Sequence, residues 1–217
     1  MDTGLSDHSS LEGIYSDDQQ ARTRFILRPL QYDLLDSNSS RMPHAALEIG
    51  RTEIDLASGT SKLHELELFN VTNLLARRIP LPSLPDMAWH ASSGFASSRL
   101  DCSHCLDGHA TFLAGKSFRL GHRSLPFIMT GGQLRSERHQ EGPAAPMLQL
   151  GLLYDWEPGQ RSLLQITHAD GLKGEESRRT QWLLEHRMAV GQQLDLRARW
   201  EGDDNAQELG LGVSWYF

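Results

Sequence analysis

The sequence predicts an all-β fold, a closed antiparallel up-and-down transmembrane β-barrel of about twelve strands. Three observations support this fold class: apolar residues recur at every second position, turn-forming residues separate the alternating segments, and the final segment alternates as far as the aromatic Phe217. A helix would repeat its apolar residues every third or fourth position, so a period of two indicates strands. Membrane barrels carry this pattern because one face of each strand meets lipid and the other faces the interior.

Length and composition argue against several other classes of protein. The 217 residues are enough for one domain of ordinary size. The 28 acidic and 21 basic residues give a net charge of −7, which argues against a nucleic-acid partner because phosphate binding needs a concentrated basic surface. No run of about 18 apolar residues occurs, which excludes a transmembrane helix. We also expect no signal peptide in residues 1–4.

The strands are predicted from alternation and from the turns between them. They lie near residues 10–17, 22–31, 44–55, 61–73, 86–98, 109–120, 125–134, 147–157, 160–169, 178–190, 193–201 and 207–217. Ten strands is the alternative, because Pro80, Pro82 and Pro85 do not fit regular sheet. The expected organisation is a disordered or linker N-terminus over 1–10 and an outer-membrane barrel domain over 11–217.

The elements follow in chain order, each with an apolar and a polar or small face. In the N-terminal half, Phe25 and Leu27 oppose Arg24 and Arg28, and Leu66 and Leu68 oppose Glu65 and Glu67. In the C-terminal half the apolar faces are Leu148, Leu150, Leu152, Tyr154 and Trp156; Trp182, Leu184 and Met188; Leu194, Leu196, Ala198 and Trp200; and Leu209, Leu211, Val213, Trp215 and Phe217.

The polar faces predict which side points inward. Asp195, Arg197 and Arg199 stand opposite the apolar face of one strand, and Glu185 and Arg187 do so on its neighbour. In a closed lumen such groups can pair across strands. We therefore expect a lumen charge lattice formed by Arg24, Arg28, Glu185, Arg187, Asp195, Arg197 and Arg199. A soluble lipocalin-like barrel is the alternative, with the apolar face inward.

Aromatic residues predict the depth of the strands in a membrane. The barrel-closing and girdle residues we expect are Trp156, Trp182, Trp200, Trp215 and Phe217, which fall toward strand ends. Amphipathic rings favour the headgroup level, although aromatic residues also simply favour strands. Lys116 lies on an apolar face, so it must lie near a strand edge or beside a bulge.

One series of short motifs resembles a known family. The motifs are Phe25-Ile26-Leu27-Arg28-Pro29-Leu30-Gln31-Tyr32-Asp33-Leu34-Leu35-Asp36, then His44-Ala45-Ala46-Leu47-Glu48-Ile49, Leu66-Glu67-Leu68-Phe69-Asn70-Val71, a Pro-rich turn, and Ala88-Trp89. The cysteine pair followed by the segment Gly108 to Gly115 also fits. From about Arg24 to Phe217 the chain is similar to the C-terminal barrel of the Gram-negative domain-of-unknown-function family 4105, also called Lnb-like after a lipoprotein N-acyltransferase.

The resemblance implies a location and a partner. In that family a periplasmic domain, thought to carry thiol-dependent acyl-transfer or peptidase-like chemistry, precedes the barrel, and we expect that domain to be absent here. The family implies no catalytic residue at these positions. The expected partners are outer-membrane lipid, the barrel-assembly machinery through the C-terminal strand, and a periplasmic domain or protein, without nucleic acid.

Cys102 and Cys105 are a disulfide candidate. The segment Cys102-Ser103-His104-Cys105, with His109 nearby, could also be a partial zinc site or a redox pair. Zinc on four ligands so close together would be crowded, and no helix is readable that would lower a thiol pKa. An oxidising compartment favours the disulfide. We expect no metal and no cofactor.

The leading hypothesis is therefore an outer-membrane anchor or scaffold for a periplasmic activity, without catalysis of its own. The second is a phospholipase or acyl-hydrolase barrel, in which His186, between Leu184 and Met188 on the apolar face, would be the base. The sequence identifies no nucleophile beside it, since such groups are recognised by geometry. A histidine near the interfacial edge of a strand is the simpler interpretation. A small pore or a soluble carrier are further alternatives.

Overall fold

The structure, a computed structural model, describes residues 6–16, 21–32, 34–35, 44–57, 60–74, 87–97, 106–136, 143–172, 178–191 and 193–216. These residues contain twelve strands. They are β1 Ser6–Ser16, β2 Ala21–Tyr32, β3 Ala45–Ala57, β4 Thr60–Asn73, β5 Ala88–Ser97, β6 Leu106–Ser117, β7 Ser124–Arg135, β8 Ala144–Glu157, β9 Gln160–Asp170, β10 Arg178–Ala189, β11 Leu194–Gly202 and β12 Gln207–Tyr216.

The strands form one closed barrel. Each strand pairs antiparallel with its neighbours in sequence, and β1 pairs with β12, for example Leu11 with Val213 and Ile14 with Gly210. This confirms the predicted fold class with twelve strands and excludes ten. β1 begins at Ser6, so residues 6–10 belong to the sheet and not to a disordered or linker segment.

The strands are long enough to cross a membrane. Their lengths run from 9 residues in β11 to 14 in β4 and β8, and a tilted spanning strand needs about 9–11. Within the described ranges, no helix has the length and apolar character needed to span a bilayer.

The barrel has two mouths. We call the mouth where β1 begins and β12 ends the terminus end; it also holds the connections from even-numbered to odd-numbered strands. The opposite mouth, which holds the β1–β2 and β11–β12 connections, is the far end.

The sheet turns its apolar face outward. Leu196 is 40% exposed and Trp200 46%, whereas Arg197 is 4% and Asp195 2%. A soluble lipocalin-like barrel requires the opposite arrangement, so that alternative is wrong. Lys116 also faces outward and is the next-to-last residue of β6, at the strand edge.

Strand β3 changes phase at Gly50. This residue has a φ of +72° and lies in a gap in the pairing with both neighbouring strands, although the register is the same on either side of it. Glycine adopts positive φ without the steric cost that other residues meet. Beyond Gly50, Arg51, Glu53 and Asp55 point inward while Leu56 is exposed.

Candidate functional site

The far half of the lumen is organised around Arg24 on β2, whose exposed fraction is 0%. Its guanidinium donates to Asp55, with Nε 2.6 Å from Oδ1 and Nη2 3.1 Å from Oδ2. Glu201 on β11 lies 3.7 Å from Nη1, and Glu208 on β12 lies 3.5 Å from Nη2. Arg24 therefore ties the second strand to the last two across β1.

Glu53 collects the neighbouring arginines. Its carboxylate lies 3.6 Å from Arg24 and 3.8 Å from Arg199, and it also pairs with Arg51. Arg51 continues the network to Glu65 at 3.3 Å and to Glu48 at 3.6 Å. Charges from β2, β3, β4 and β11 thus meet in one buried network.

Further ion pairs lie along β10, β11 and β12. Arg197 lies 3.0 Å from Glu185, and Arg199 donates to Glu201 at 2.7 Å. Nε of Arg187 donates to Asp195 at 2.6 Å, and the hydroxyl of Tyr216 donates to the same carboxylate. The Arg187 guanidinium also lies 5.4 Å from the centre of the Tyr216 ring.

The structure thus brings together on the inner wall all seven residues of the expected lumen lattice, Arg28 joining through Glu48 at 3.8 Å. Charges taken out of water are tolerated when they are paired and hydrogen-bonded. Removing one member leaves the others uncompensated, which is the strongly destabilising case. The network is therefore chemically suited to holding the wall together.

Several members were missed by the sequence reasoning. They are Arg22, Arg51, Glu53, Asp55, Glu201 and Glu208. The residues in β3 were missed because the inward and outward positions reverse at Gly50, with Glu48 buried before it and Glu53 and Asp55 buried after it. A glycine inside an apolar–polar alternation is the signal that could have found the change of phase.

The terminus half of the lumen is apolar on the side of β5 to β9, which the sequence reasoning did not predict. Leu35 and Leu74 are buried in the connections after β2 and β4. They pack with inward residues of β5 to β9, namely Ala88, Leu113, Leu125, Phe127, Met129, Leu153 and Leu163. We call these nine residues the apolar plug. Gly151 leaves room for the Phe127 ring, because a Cβ there would overlap that ring.

Side chains from the wall hold the plug in place. Nη1 of Arg161 on β9 donates to the Leu34 carbonyl at 2.8 Å, and the Ser117 hydroxyl donates to the Leu74 carbonyl at 2.9 Å. The backbone N–H of Leu74 donates to the His44 carbonyl at 2.8 Å. Leu34 and Leu74 are thus fixed inside the mouth of the barrel.

His44 is neutral in this setting. Burial, together with the positive charges of Arg161 and Arg119, holds the pKa of His44 below its ordinary value. Nη2 of Arg119 lies 3.3 Å from Nε2 of the ring. Since arginine can only donate, that nitrogen must accept, as it can in the uncharged imidazole.

Two cavities divide the space that remains. One cavity, of about 210 Å³, lies next to the plug. Leu35 and Phe127 line one side of it, and Arg28, Glu185 and Arg197 line the other. The second, of about 230 Å³, lies toward the far end and is lined by Glu67, Asp107, His109, Gln133, Arg135 and Arg179 among others. Among the described residues, no three acidic, histidine or cysteine side chains are arranged to hold a metal ion.

A comparison with known families decides where the chain belongs. A family model described as domain of unknown function (DUF7840) matches residues 5–217. The chain belongs to this family. Its description differs from that of family 4105, so the Lnb-like resemblance remains a prediction. No curated protein matches the sequence.

Solved porins share the fold of this DUF7840 chain. The NanC porin superposes with a TM-score of 0.59 at 8% identity, covering 96% of this chain and 100% of that chain. The KdgM porin gives 0.56 at 7%, covering 97% and 99%. A KdgM porin in complex with disordered oligogalacturonate gives 0.55 at 7%, also covering 97% and 99%. At these identities the likeness concerns the fold alone.

The outer face of the DUF7840 barrel carries the tryptophans. Trp156, Trp200 and Trp215 are exposed, and Trp182 is half-buried with its ring over Gly202. The Trp182 and Trp200 rings meet edge to face, with centroids 4.4 Å apart. Cys102, Cys105 and Phe217 lie outside the described residues, so the disulfide and the role of the terminal aromatic stay predictions.

The structure also places a hydroxyl beside His186. Ser162 on β9 is its direct cross-strand partner, with Oγ 2.8 Å from Nδ1. Sequence reasoning could not identify Ser162, because the partner across a strand pair depends on register.

Proposed function

We propose that this chain is an outer-membrane β-barrel with a closed lumen that serves as a membrane anchor and scaffold for a periplasmic activity. One observation carries the membrane part: large apolar side chains are exposed all around the wall while the charged side chains are buried inside. Exposed apolar surface of this extent would be unfavourable in water and is favourable against lipid. The porin-like fold supports placement in a Gram-negative outer membrane.

The filled lumen favours an anchor over a pore. The apolar plug occupies the β5 to β9 side of the terminus half, and paired arginines and carboxylates occupy much of the rest. A transport path needs a continuous wet channel, as in porins with wide barrels. A small pore is therefore the weaker candidate for this barrel.

The scaffold part rests on the resemblance to Lnb-like barrels and on the two ends of the sheet. β1 begins and β12 ends at the same mouth. A periplasmic domain or protein with acyltransferase-like or peptidase-like activity would dock at this terminus end. The alternating last strand would be the segment that engages the barrel-assembly machinery, and lipid would contact the outer face.

Membrane placement is tested by extraction and gel mobility. We expect the protein to leave membranes only with detergent and to migrate differently before and after boiling, because a closed barrel resists unfolding by the gel detergent. The same bilayer-embedded protein should give no steady ion conductance, since the lumen is filled. Full solubility without detergent would refute the anchor, and a steady large conductance would favour the pore.

The scaffold is tested by site-specific cross-linking in cells. A photoreactive residue replacing His122, exposed in the β6–β7 connection at the terminus end, should capture a periplasmic protein with acyltransferase-like or peptidase-like sequence. The same residue replacing Asn205, exposed in the β11–β12 connection at the far end, is the matched control and should not. Equal capture from both positions, or none from His122, would contradict the scaffold.

A further inference from the structure

Three side chains form a hydrogen-bonded chain on the outer face of the barrel. Ser162 Oγ on β9 lies 2.8 Å from Nδ1 of His186 on β10. The indole Nε1 of Trp156 on β8 donates to the same Oγ at 2.9 Å. The serine proton can therefore point toward the imidazole, which is the arrangement of a nucleophile next to its general base.

The surroundings of Ser162 suggest what it would meet. The neighbouring outward residues Leu164 and Leu184 are exposed apolar side chains, and Trp156 is 49% exposed. Ser162 is the third residue of β9 and lies near the terminus end. Tryptophan rings mark the boundary between headgroups and acyl chains, and glycerophospholipids carry their ester bonds at this boundary.

Two other histidines in the barrel also face a hydroxyl. His168 lies 3.1 Å from Thr180 on the outer face, and His90 lies 2.9 Å from Thr72 inside. Both are direct cross-strand pairs, so register alone can produce such a contact. Ser162 differs in being a primary alcohol and in accepting the Trp156 N–H, which stabilises negative charge on Oγ as its proton leaves.

We propose that Ser162 and His186 form a catalytic pair that cleaves acyl esters of membrane glycerophospholipids. This inference rests on the proposed membrane placement, because the pair reaches such an ester only from a lipid-facing wall. It adds an activity to the anchor, performed on the lipid that surrounds the barrel.

The reaction balances with water as the second substrate. Oγ of Ser162 attacks the acyl carbonyl carbon while its proton passes to Nδ1 of His186. The carbon–oxygen bond to the glycerol then breaks, and the leaving alcohol takes the proton from His186, which gives a lysophospholipid and an acyl-serine. Water hydrolyses the acyl-serine with His186 as base, releasing a fatty acid and returning the proton to Oγ.

The test uses the full chain inserted in phosphatidylethanolamine–phosphatidylglycerol vesicles. The readouts are fatty-acid release and covalent labelling by a fluorophosphonate probe, with the labelled peptide mapped by mass spectrometry. We expect the fluorophosphonate label on Ser162. The rate of fatty-acid release should fall about 100-fold or more in both Ser162→Ala and His186→Gln, which is the lower end of the loss expected when an acid–base group is removed. Thr180→Ala and His168→Gln, the matched pair on the same face, should leave release unchanged.

Insertion is scored separately by the mobility shift on boiling. Inserted protein that releases no fatty acid, or an inserted Ser162→Ala variant that releases as much as the unmodified chain, overturns the catalytic pair and leaves the anchor standing. Protein that does not insert overturns both proposals.

Discussion

Gly212 lies directly beneath the side chain of Glu12, at the seam where the last strand meets the first. The two residues are cross-strand partners, and a Cβ at Gly212 would overlap Cγ of Glu12 and lie 2.8 Å from the Leu11 carbonyl oxygen. Glu12 is buried and points into the lumen. The seam therefore closes with glycine on one strand and a long charged side chain on the other.

Replacing Gly212 should weaken the seam. In Gly212→Val the new side chain has no room unless Glu12 or the backbone moves, so we expect a loss of about 1–3 kcal/mol in the free energy of unfolding. Gly210→Ala on the same strand is the control, because its Cβ would lie 3.5 Å from Glu12 Oε2 and 3.8 Å from Arg199 Cβ, which is ordinary contact. Urea unfolding followed by tryptophan fluorescence measures both, and equal stability of the two variants would contradict the overlap.

Arg24→Met should be the most damaging single change in the lumen network. It leaves Asp55, Glu53 and Glu208 without their shared guanidinium in a buried site, and breaking a buried ion pair costs about 3–5 kcal/mol. Arg178→Met is the control: its side chain is 78% exposed and lies 3.8 Å from Asp170, so about 0–1 kcal/mol is expected. The midpoint of urea unfolding reports each, and an Arg24→Met variant as stable as Arg178→Met would rule out a structural role for the network.

Truncating the apolar plug should also destabilise the barrel. Leu74 is fully buried in the plug, and Leu74→Ala should cost about 2–5 kcal/mol through lost burial and the cavity left behind. Leu211→Ala removes a leucine that is 62% exposed on the outer face and should cost less. Thermal loss of the unboiled gel band compares the two; a larger effect from Leu211→Ala would argue against a packed plug.

Stability should depend on pH through His44. Its pKa is lower in the folded chain than the ordinary 6.5 because the buried site disfavours the charged ring. The unfolded chain therefore binds more protons in the window from pH 6.5 down through the folded pKa. This contribution to stability is present above that window and is lost as the pH falls through it.

The experiment compares the unmodified chain with His44→Gln, which cannot take up the proton. Urea unfolding above and below pH 6.5 should show a smaller drop for the variant. Identical pH profiles would mean that His44 is not coupled to folding.

Most strands of the barrel wall were predictable from the sequence, whereas few of the contacts inside the lumen were. Strand β9, predicted near 160–169, runs from Gln160 to Asp170, because alternation and flanking turns are local properties that a sequence displays directly. The positive φ of Gly50 is local as well, but the change it accompanies appears only as a reversed alternation in the residues that follow. Contacts such as Arg24 with Glu208 depend on closure of the ring, which brings distant strands together.

The plug and the Ser162–His186 pair were not predictable for related reasons. Leu35 looks like an ordinary apolar residue in a connection, and only the structure shows that its side chain packs inside the lumen. Ser162 has no special sequence context, and its position opposite His186 follows from the register of β9 and β10.

The bond from Arg161 to the Leu34 carbonyl joins residues 127 positions apart. A contact of such sequence separation forms late, since the entropy of bringing its ends together must first be overcome. A partly assembled sheet that lacks β9 would therefore lack the bond from Arg161, and the leucines after β2 would be exposed to solvent. Exposed leucines of this kind make such a partly assembled intermediate prone to aggregation.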